Sequence, residues 1–269
     1  MSLKTIGIKL QDIIDKELIA NKDLESRKAN ELLNKFLSDH PGGRIEHLIR
    51  LYTLETSFYI ALKQNPMPLA LPLYMTLQTL KDRYFQGQSY RGAKMTDEDI
   101  ASYEWTANNQ GSLLQTKRFS STSLTRSVAE EFSDTVNKNP DAVRRNRVVF
   151  VYNFPERCDQ AINLSRISDT QPCLSEFEDE AEILILPWTL FKVENVQKQS
   201  SLSYTIYLSN VLLPRKNMFS SLKWTLKHPK GCIKRFYEHF PEKQPENTVK
   251  QLVTNFFMFD ENILKENEQ

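Results

Sequence analysis

The sequence predicts an α+β protein in which a helical lobe precedes a mainly β lobe. Three observations carry that expectation. Apolar residues recur at helical spacing through the first third of the chain. From Ser89 onward they gather instead in short runs rich in Val, Ile, Tyr, Phe and Thr. And 269 residues with 40% apolar and 10% aromatic content suffice to bury a full core, as one large domain or two small ones.

Over residues 3–39, Ile13, Ile14, Leu18, Leu32, Leu33, Phe36 and Leu37 fall at helical spacings among many charges, which predicts two amphipathic helices broken near 21–23. His40-Pro41-Gly42-Gly43 reads as a turn. The helical pattern resumes over 44–63 through Ile45, Leu48, Ile49, Leu51, Tyr52, Leu54, Phe58 and Leu62. Pro66, Pro68 and Pro72 then punctuate the chain before a short helix expected over 73–84. Strands are expected at 89–92, 117–123, 147–154, 180–186, 190–195 and 204–213, with a helix through Ser127, Ala129 and Phe132. Beyond Pro214, Trp224, Phe236, Tyr237, Phe240, Phe256, Phe257 and Phe259 give the tail enough aromatic surface to pack back on the body. No internal repeat or low-complexity segment interrupts this order.

Composition narrows the function. Thirty-five basic against thirty-four acidic residues leave a net charge of +1, which does not favour nucleic acid as partner. Lys4, Lys9, Asp12, Asp15, Lys16 and Glu17 break up the opening residues, and no stretch approaches the ~20 apolar residues of a membrane span, so a cytoplasmic protein is expected. Cys158, Cys173 and Cys232 form no CxxC pair and have no zinc-like spacing to the four histidines. They fit a reducing compartment, and one disulfide plus one free thiol is an open alternative. No GxGxxG or GxxxxGK[ST] occurs among seven glycines, so any nucleotide is held without a Rossmann or P-loop cradle, and no metal is expected. His40, His47, His228 and His239 form no HExxH, and the basic residues of 144–147 and of the tail read as solvated faces.

Three short segments carry chemistry. Tyr90-Arg91-Gly92 puts an arginine on a short strand, with a glycine behind it that leaves the backbone open to a ligand. Phe119-Ser120-Ser121-Thr122-Ser123 sets hydroxyls on a second strand. Phe177-Glu178-Asp179-Glu180-Ala181-Glu182 runs directly into the apolar strand Ile183-Leu184-Ile185-Leu186-Pro187. Alternation along a strand puts Glu180 and Glu182 on one face, close enough for their protonation to interact. Each segment has an ordinary reading: a surface ion pair, a polar strand edge or Ser N-cap, an acidic loop. The last explains poorly why a carboxylate enters an apolar strand, where burial is costly without partners.

Taken in this order, the segments resemble the arginine-type mono-ADP-ribosyltransferases, whose pattern is an Arg on one strand, aromatic-x-Ser-Thr-Ser on a second and Glu-x-Glu on a third. The match extends to the aromatic-x-x-Glu-x-Glu loop at Phe177 to Glu182 and to the helix carrying Leu51-Tyr52-Thr53-Leu54-Glu55 and Phe58-Tyr59, which looks like that of the eukaryotic members. It covers roughly residues 45–213. The resemblance implies a split, two-sheet β-sandwich core beside an N-terminal helical lobe. The expected division is 1–80 helical lobe, 81–213 NAD-binding catalytic core and 214–269 tail.

It also implies roles. NAD is the co-substrate; Arg91 grips its phosphates with a guanidinium fork, beside Gly92. Ser121 hydrogen-bonds the nicotinamide-side ribose and Glu182. Glu182 accepts the ribose 2′-OH and stabilises the oxocarbenium-like charge as nicotinamide leaves. Glu180 meets the arginine of an acceptor protein and takes its proton. Thr122 and Ser123 support the strand and border the ligand, Phe132 lies against the nicotinamide ring or in the core, and Phe177 recognises the acceptor. Two rival expectations share the sequence: an NAD glycohydrolase using Arg91, Ser121 and Glu182, and a catalytically silent binding module.

Overall fold

In the computed structural model the residues described are 24–38, 44–54, 66–109, 111–134 and 145–212. The expected helix before residue 21, the turn at 40–43, the continuation past Leu54 and the aromatic tail lie outside them. Among the described residues no helix is long and apolar enough to cross a membrane.

The helical lobe follows from periodicity. Helix α1 (Leu24–Ser38) buries Ala29, Leu32, Leu33 and Phe36, spaced three and four apart as a single helical stripe requires. Helix α2 (Ile45–Thr53) carries Glu46 in its first turn and Arg50 in its last, matching the helix dipole, and buries Ile45, Leu48, Ile49, Leu51 and Tyr52. Helix α3 (Met67–Thr76) corrects the expectation that the prolines precede the helix. A proline is tolerated at the first helical positions, and Pro72 sits inside it. A 3₁₀ turn, Leu77–Arg83, then leads into the sheet.

The β lobe is one seven-stranded sheet in the order β1-β3-β5-β4-β7-β6-β2, with β1 also bonded to β4. Its strands are β1 (Tyr84–Met95), β2 (Leu114–Gln115), β3 (Ser120–Ser123), β4 (Asn146–Asn163), β5 (Glu182–Ile185), β6 (Leu190–Ser200) and β7 (Ser203–Asn210). The fold is therefore α+β, as expected, and the strands divide into two groups that share β4. Its first half lies between β1 and β7, and its last residues, Ala161 to Asn163, pair with Ile185 to Ile183 of β5. The β1–β3 link is a single pair, Tyr90 with Ser123, so the groups diverge beside it and leave a cleft.

Strand β4 is more than twice the expected length. The expected strand stops at Phe154, yet at the Pro155 that follows the register of β1 shifts, from Gly87 opposite Phe154 to Phe85 opposite Cys158, and the irregularity absorbs the proline. Phe85, Phe150, Tyr152, Phe154, Ile183, Ile185, Phe191, Ile206 and Leu208 form the core between the strands. Helix α4 (Asp97–Asn108) falls between the strands expected at 89–92 and 117–123, where the sequence reading places no element. Thr96 and Asp99 close a capping box, and Ile100, Tyr103 and Ala107 recur on the face that meets the core. Helix α5 (Arg126–Asp134) matches the helix expected through Ser127 and Phe132 and lies across β1.

Candidate active site

The cleft between the strand groups has a cavity volume of about 230 Å³. From β1 it is lined by Tyr90, Arg91 and Gly92, from β3 by Ser121, Thr122 and Ser123, and from β5 by Glu182. Helix α5 adds Val128, Ala129 and Phe132, the turn before β5 adds Phe177 and Glu180, and α2 with its C-cap adds Tyr52, Thr53 and Leu54. All nine residues singled out from the sequence thus border one cavity.

Glu182 is its chemical centre. It opens an otherwise apolar strand in which Ile183, Leu184 and Ile185 are fully buried, and it is itself only 4% exposed. Its carboxylate is held at both oxygens: Ser121 Oγ donates to Oε1 at 2.5 Å and Ser175 Oγ donates to Oε2 at 2.7 Å. Burial pushes the Glu182 carboxyl above the ordinary carboxylate range, while the Ser121 and Ser175 hydroxyls and the Arg91 charge pull it back. Two donors and a cation favour the ionised form and offset part of the burial that opposes it.

Arg91 reaches across the single-pair junction. Its Nη1 donates to the Ser121 backbone carbonyl at 2.6 Å, which ties β1 to β3 and brings the guanidinium to the edge of the cleft. Gly92 behaves differently from the expectation. A Cβ at this position would lie 1.9 Å from the Ala129 carbonyl oxygen and 2.6 Å from the Ser133 amide nitrogen, so it is the backbone of α5, more than a ligand, that demands glycine here. The close approach sets α5 against β1, and Ala129 and Phe132 line the cleft beside it.

Two further hydroxyls of β3, those of Thr122 and Ser123, support the scaffold. Thr122 Oγ1 is buried 2.9 Å from both Ser89 Oγ on β1 and the Ile183 carbonyl on β5, joining three strands. Ser123 Oγ donates to the Glu180 carbonyl at 2.6 Å and accepts from the Thr125 amide at 2.9 Å. Thr122 and Ser123 are 4% and 5% exposed, so Ser121 is the hydroxyl of the three most open to a ligand.

Glu180 departs from the strand geometry expected of it. The chain makes a 3₁₀ turn, Glu178–Glu180, then passes through Ala181 with φ 45°, ψ 57°, and β5 begins only at Glu182. Side-chain alternation therefore does not relate the two glutamates. The left-handed step of Ala181 and the Ser123 bond to Glu180 set their relation instead, and both still face the same cleft. Phe177 and Phe132 are 39% and 55% exposed, which places Phe132 at the cleft wall and removes the alternative of a core phenylalanine.

Ser175 escaped sequence reading. It belongs to no strand or motif run, and its only sequence signal is a small hydroxyl seven residues before Glu182 in an otherwise apolar and acidic loop. The segment carrying it is fastened to the helical lobe. Arg50 donates to the Cys173 carbonyl, Thr53 Oγ1 accepts from the Glu176 amide at 3.1 Å, and Lys28 pairs with the Glu176 carboxylate. Upstream, Arg83 donates to the carbonyls of Asn163, Ser165 and Pro172.

No family model and no curated protein sequence matches the chain. Among solved structures it is similar to Vis toxin, an ADP-ribosyltransferase from Vibrio splendidus, at 18% identity and a TM-score of 0.41, over 79% of this chain and 87% of that one. It is also similar to exoenzyme S from Pseudomonas aeruginosa, solved with human 14-3-3 protein beta and carba-NAD, at 14% identity and a TM-score of 0.45 over 76% and 89%. A third is the ADP-ribosyltransferase HopU1 of Pseudomonas syringae, at 18% identity and a TM-score of 0.41 over 75% and 87%. With each of these TM-scores below 0.5, the side chains of the cleft carry the functional reading.

Proposed function

We propose that the chain is an NAD-dependent mono-ADP-ribosyltransferase that moves ADP-ribose to an arginine side chain of an acceptor protein. The observation that carries this reading is the grip on Glu182: a buried carboxylate with a serine on each oxygen, beside an arginine, in an open cleft. Structural ion pairs have no need of a cleft, and a silent module has no need to bury a carboxyl group under two donors and a cation.

In the proposed reaction Arg91 holds the dinucleotide phosphates with the guanidinium donors its Ser121 bond leaves over. The bond between ribose C1′ and the nicotinamide nitrogen breaks, and its electron pair leaves with nicotinamide. Glu182, fixed by Ser121 and Ser175, accepts the ribose 2′-OH and faces the positive charge that develops at C1′. A guanidinium nitrogen of the acceptor attacks C1′ and its proton passes to Glu180. Phe177, half-exposed on the turn that holds Glu180, borders the acceptor, and Phe132 borders the nicotinamide. The division into a helical lobe at 1–80, a catalytic core at 81–213 and a tail at 214–269 belongs to the same reading.

The test separates transfer from hydrolysis. Nicotinamide release and label incorporation into polyarginine are followed side by side for the wild type and for Glu180→Gln. Loss of incorporation by about a hundredfold with most nicotinamide release kept is the expected result, on the scale of a lost general base. Parallel loss of both would make Glu180 part of the NAD site. Release without incorporation in the wild type would make the protein a glycohydrolase.

A further inference from the structure

Three features outside the predicted motifs stand out: the polar cleft by Gln88 and Asn153, the three-carbonyl grip of Arg83, and the buried Ser175 hydroxyl. The last is joined directly to the reacting centre. Ser175 Oγ donates to Glu182 Oε2 at 2.7 Å and accepts from the Phe177 amide at 3.2 Å, so one hydroxyl touches both the carboxylate and the first residue of the turn that ends at Glu180.

We propose that Ser175 is a positioning residue that fixes the Glu182 carboxylate and couples it to the Phe177–Glu180 turn, so that the turn's seating and the readiness of Glu182 change together. This rests on the proposed transferase reading for its meaning, though not for its geometry.

The hydroxyl is well placed for this. Its segment is bolted to α2 through Arg50 and Thr53 and to α1 through Lys28, so the oxygen is held while the turn beyond it is exposed. Ser121 fixes Oε1 alone, about which a carboxylate could still swing; the second donor on Oε2 locks its plane. When the turn lifts, the Phe177 amide leaves Ser175, the hydroxyl loses the donor that polarises it, and its bond to Glu182 weakens. Arg91 acts on that carboxylate directly, and the other titratable groups lining its cleft are Tyr90 from β1, Glu180 from the turn and Tyr52 from α2, while α5 presents Val128, Ala129 and Phe132.

The experiment uses the full chain with Ser175→Ala and Ser175→Thr. The Glu182 carboxyl is titrated by infrared difference spectroscopy, with Glu182→Gln to assign the band, and the pH profile of nicotinamide release is recorded beside it. Glu182 works ionised, and Ser175 stabilises that form. Losing the hydroxyl must therefore raise the carboxyl's pKa and carry the acid limb of the profile upward, by about one pH unit or tenfold in rate on that limb. At high pH the loss shrinks, and Thr, which keeps a hydroxyl, restores much of both. A structural defect would instead lower the rate equally at every pH. An unmoved carboxyl titration in a folded Ser175→Ala protein overturns the proposal. A wild type that releases no nicotinamide removes the transferase reading, and the titration still decides for or against Ser175.

Discussion

Replacing Gly92 by alanine adds one methyl group at the point where β1 and α5 come closest. The methyl carbon would sit 1.9 Å from the Ala129 carbonyl oxygen, 2.6 Å from the Ser133 nitrogen and 3.0 Å from the Ala129 carbonyl carbon. A normal contact needs well over 3 Å, so the helix must retreat by more than an ångström. No side-chain rotation relieves a clash with backbone. The cost should reach the upper end of overpacking penalties, about 3 kcal/mol, which for a fold of this size lowers the melting midpoint by about 6–12 °C. The retreat also displaces Ala129 and Phe132 from the cleft wall and widens the cleft, so the KM for NAD should rise while the acid limb of the pH profile stays in place. Thermal melting by circular dichroism and NAD kinetics at two pH values read both effects. A midpoint within about 1 °C of wild type would refute the assignment of Gly92 to helix packing.

Three further outcomes follow from the cleft. Glu182→Gln should abolish both NAD cleavage and transfer with the fold intact, measured by nicotinamide release and a melting curve. Because burial raises the Glu182 carboxyl above its unfolded value, the folded state binds that proton more tightly, and stability falls as pH rises from the ordinary carboxylate range through the raised one. Glu182→Gln should then be at least as stable as wild type at neutral pH and should flatten that part of the stability profile; a less stable variant would mean that the two serines outweigh desolvation. Arg91→Lys should raise the KM for NAD at least tenfold, about 1.4 kcal/mol, since an ammonium cannot keep the Ser121 carbonyl and grip a phosphate with a fork, and an unchanged KM would move the phosphate clamp elsewhere.

Legibility from sequence tracked how local the governing physics was. Of Arg91, Ser121 and Glu182 only the last stands out by itself, an acidic residue entering Ile183-Leu184-Ile185 that is visible without coordinates because the pattern is local, whereas the other two are marked only by their order along the chain. Helix α1 was readable for the same reason, its stripe being a local period. Glu180 was placed on the wrong element because period-two alternation was carried past the point where the left-handed Ala181 ends it, and nothing in Glu-Ala-Glu announces that conformation at a non-glycine residue. Helix α4 was missed although Thr96-x-x-Asp99 is a capping box, since its apolar face is narrow and two of its flanking segments read as strands. Ser175 could not have been found: its importance is a tertiary meeting of a loop with β5, fixed by Arg50 and Thr53 from a distant helix.

Strand β4 acts as the ruler of the site. Arg91 is registered opposite its Phe150 and the residue after Glu182 opposite its Asn163, thirteen positions further on. Extended, that span would be about 43 Å, yet Arg91 and Glu182 both hold on to Ser121. The strand must therefore curl between those two points, and its irregular register around Phe154 to Cys158 is where it does so. The separation of phosphate grip and carboxylate is thus encoded in a count of residues that touch neither. An insertion or deletion of one residue between Pro155 and Gln160 would leave every side chain of the cleft unchanged in identity and misalign them all.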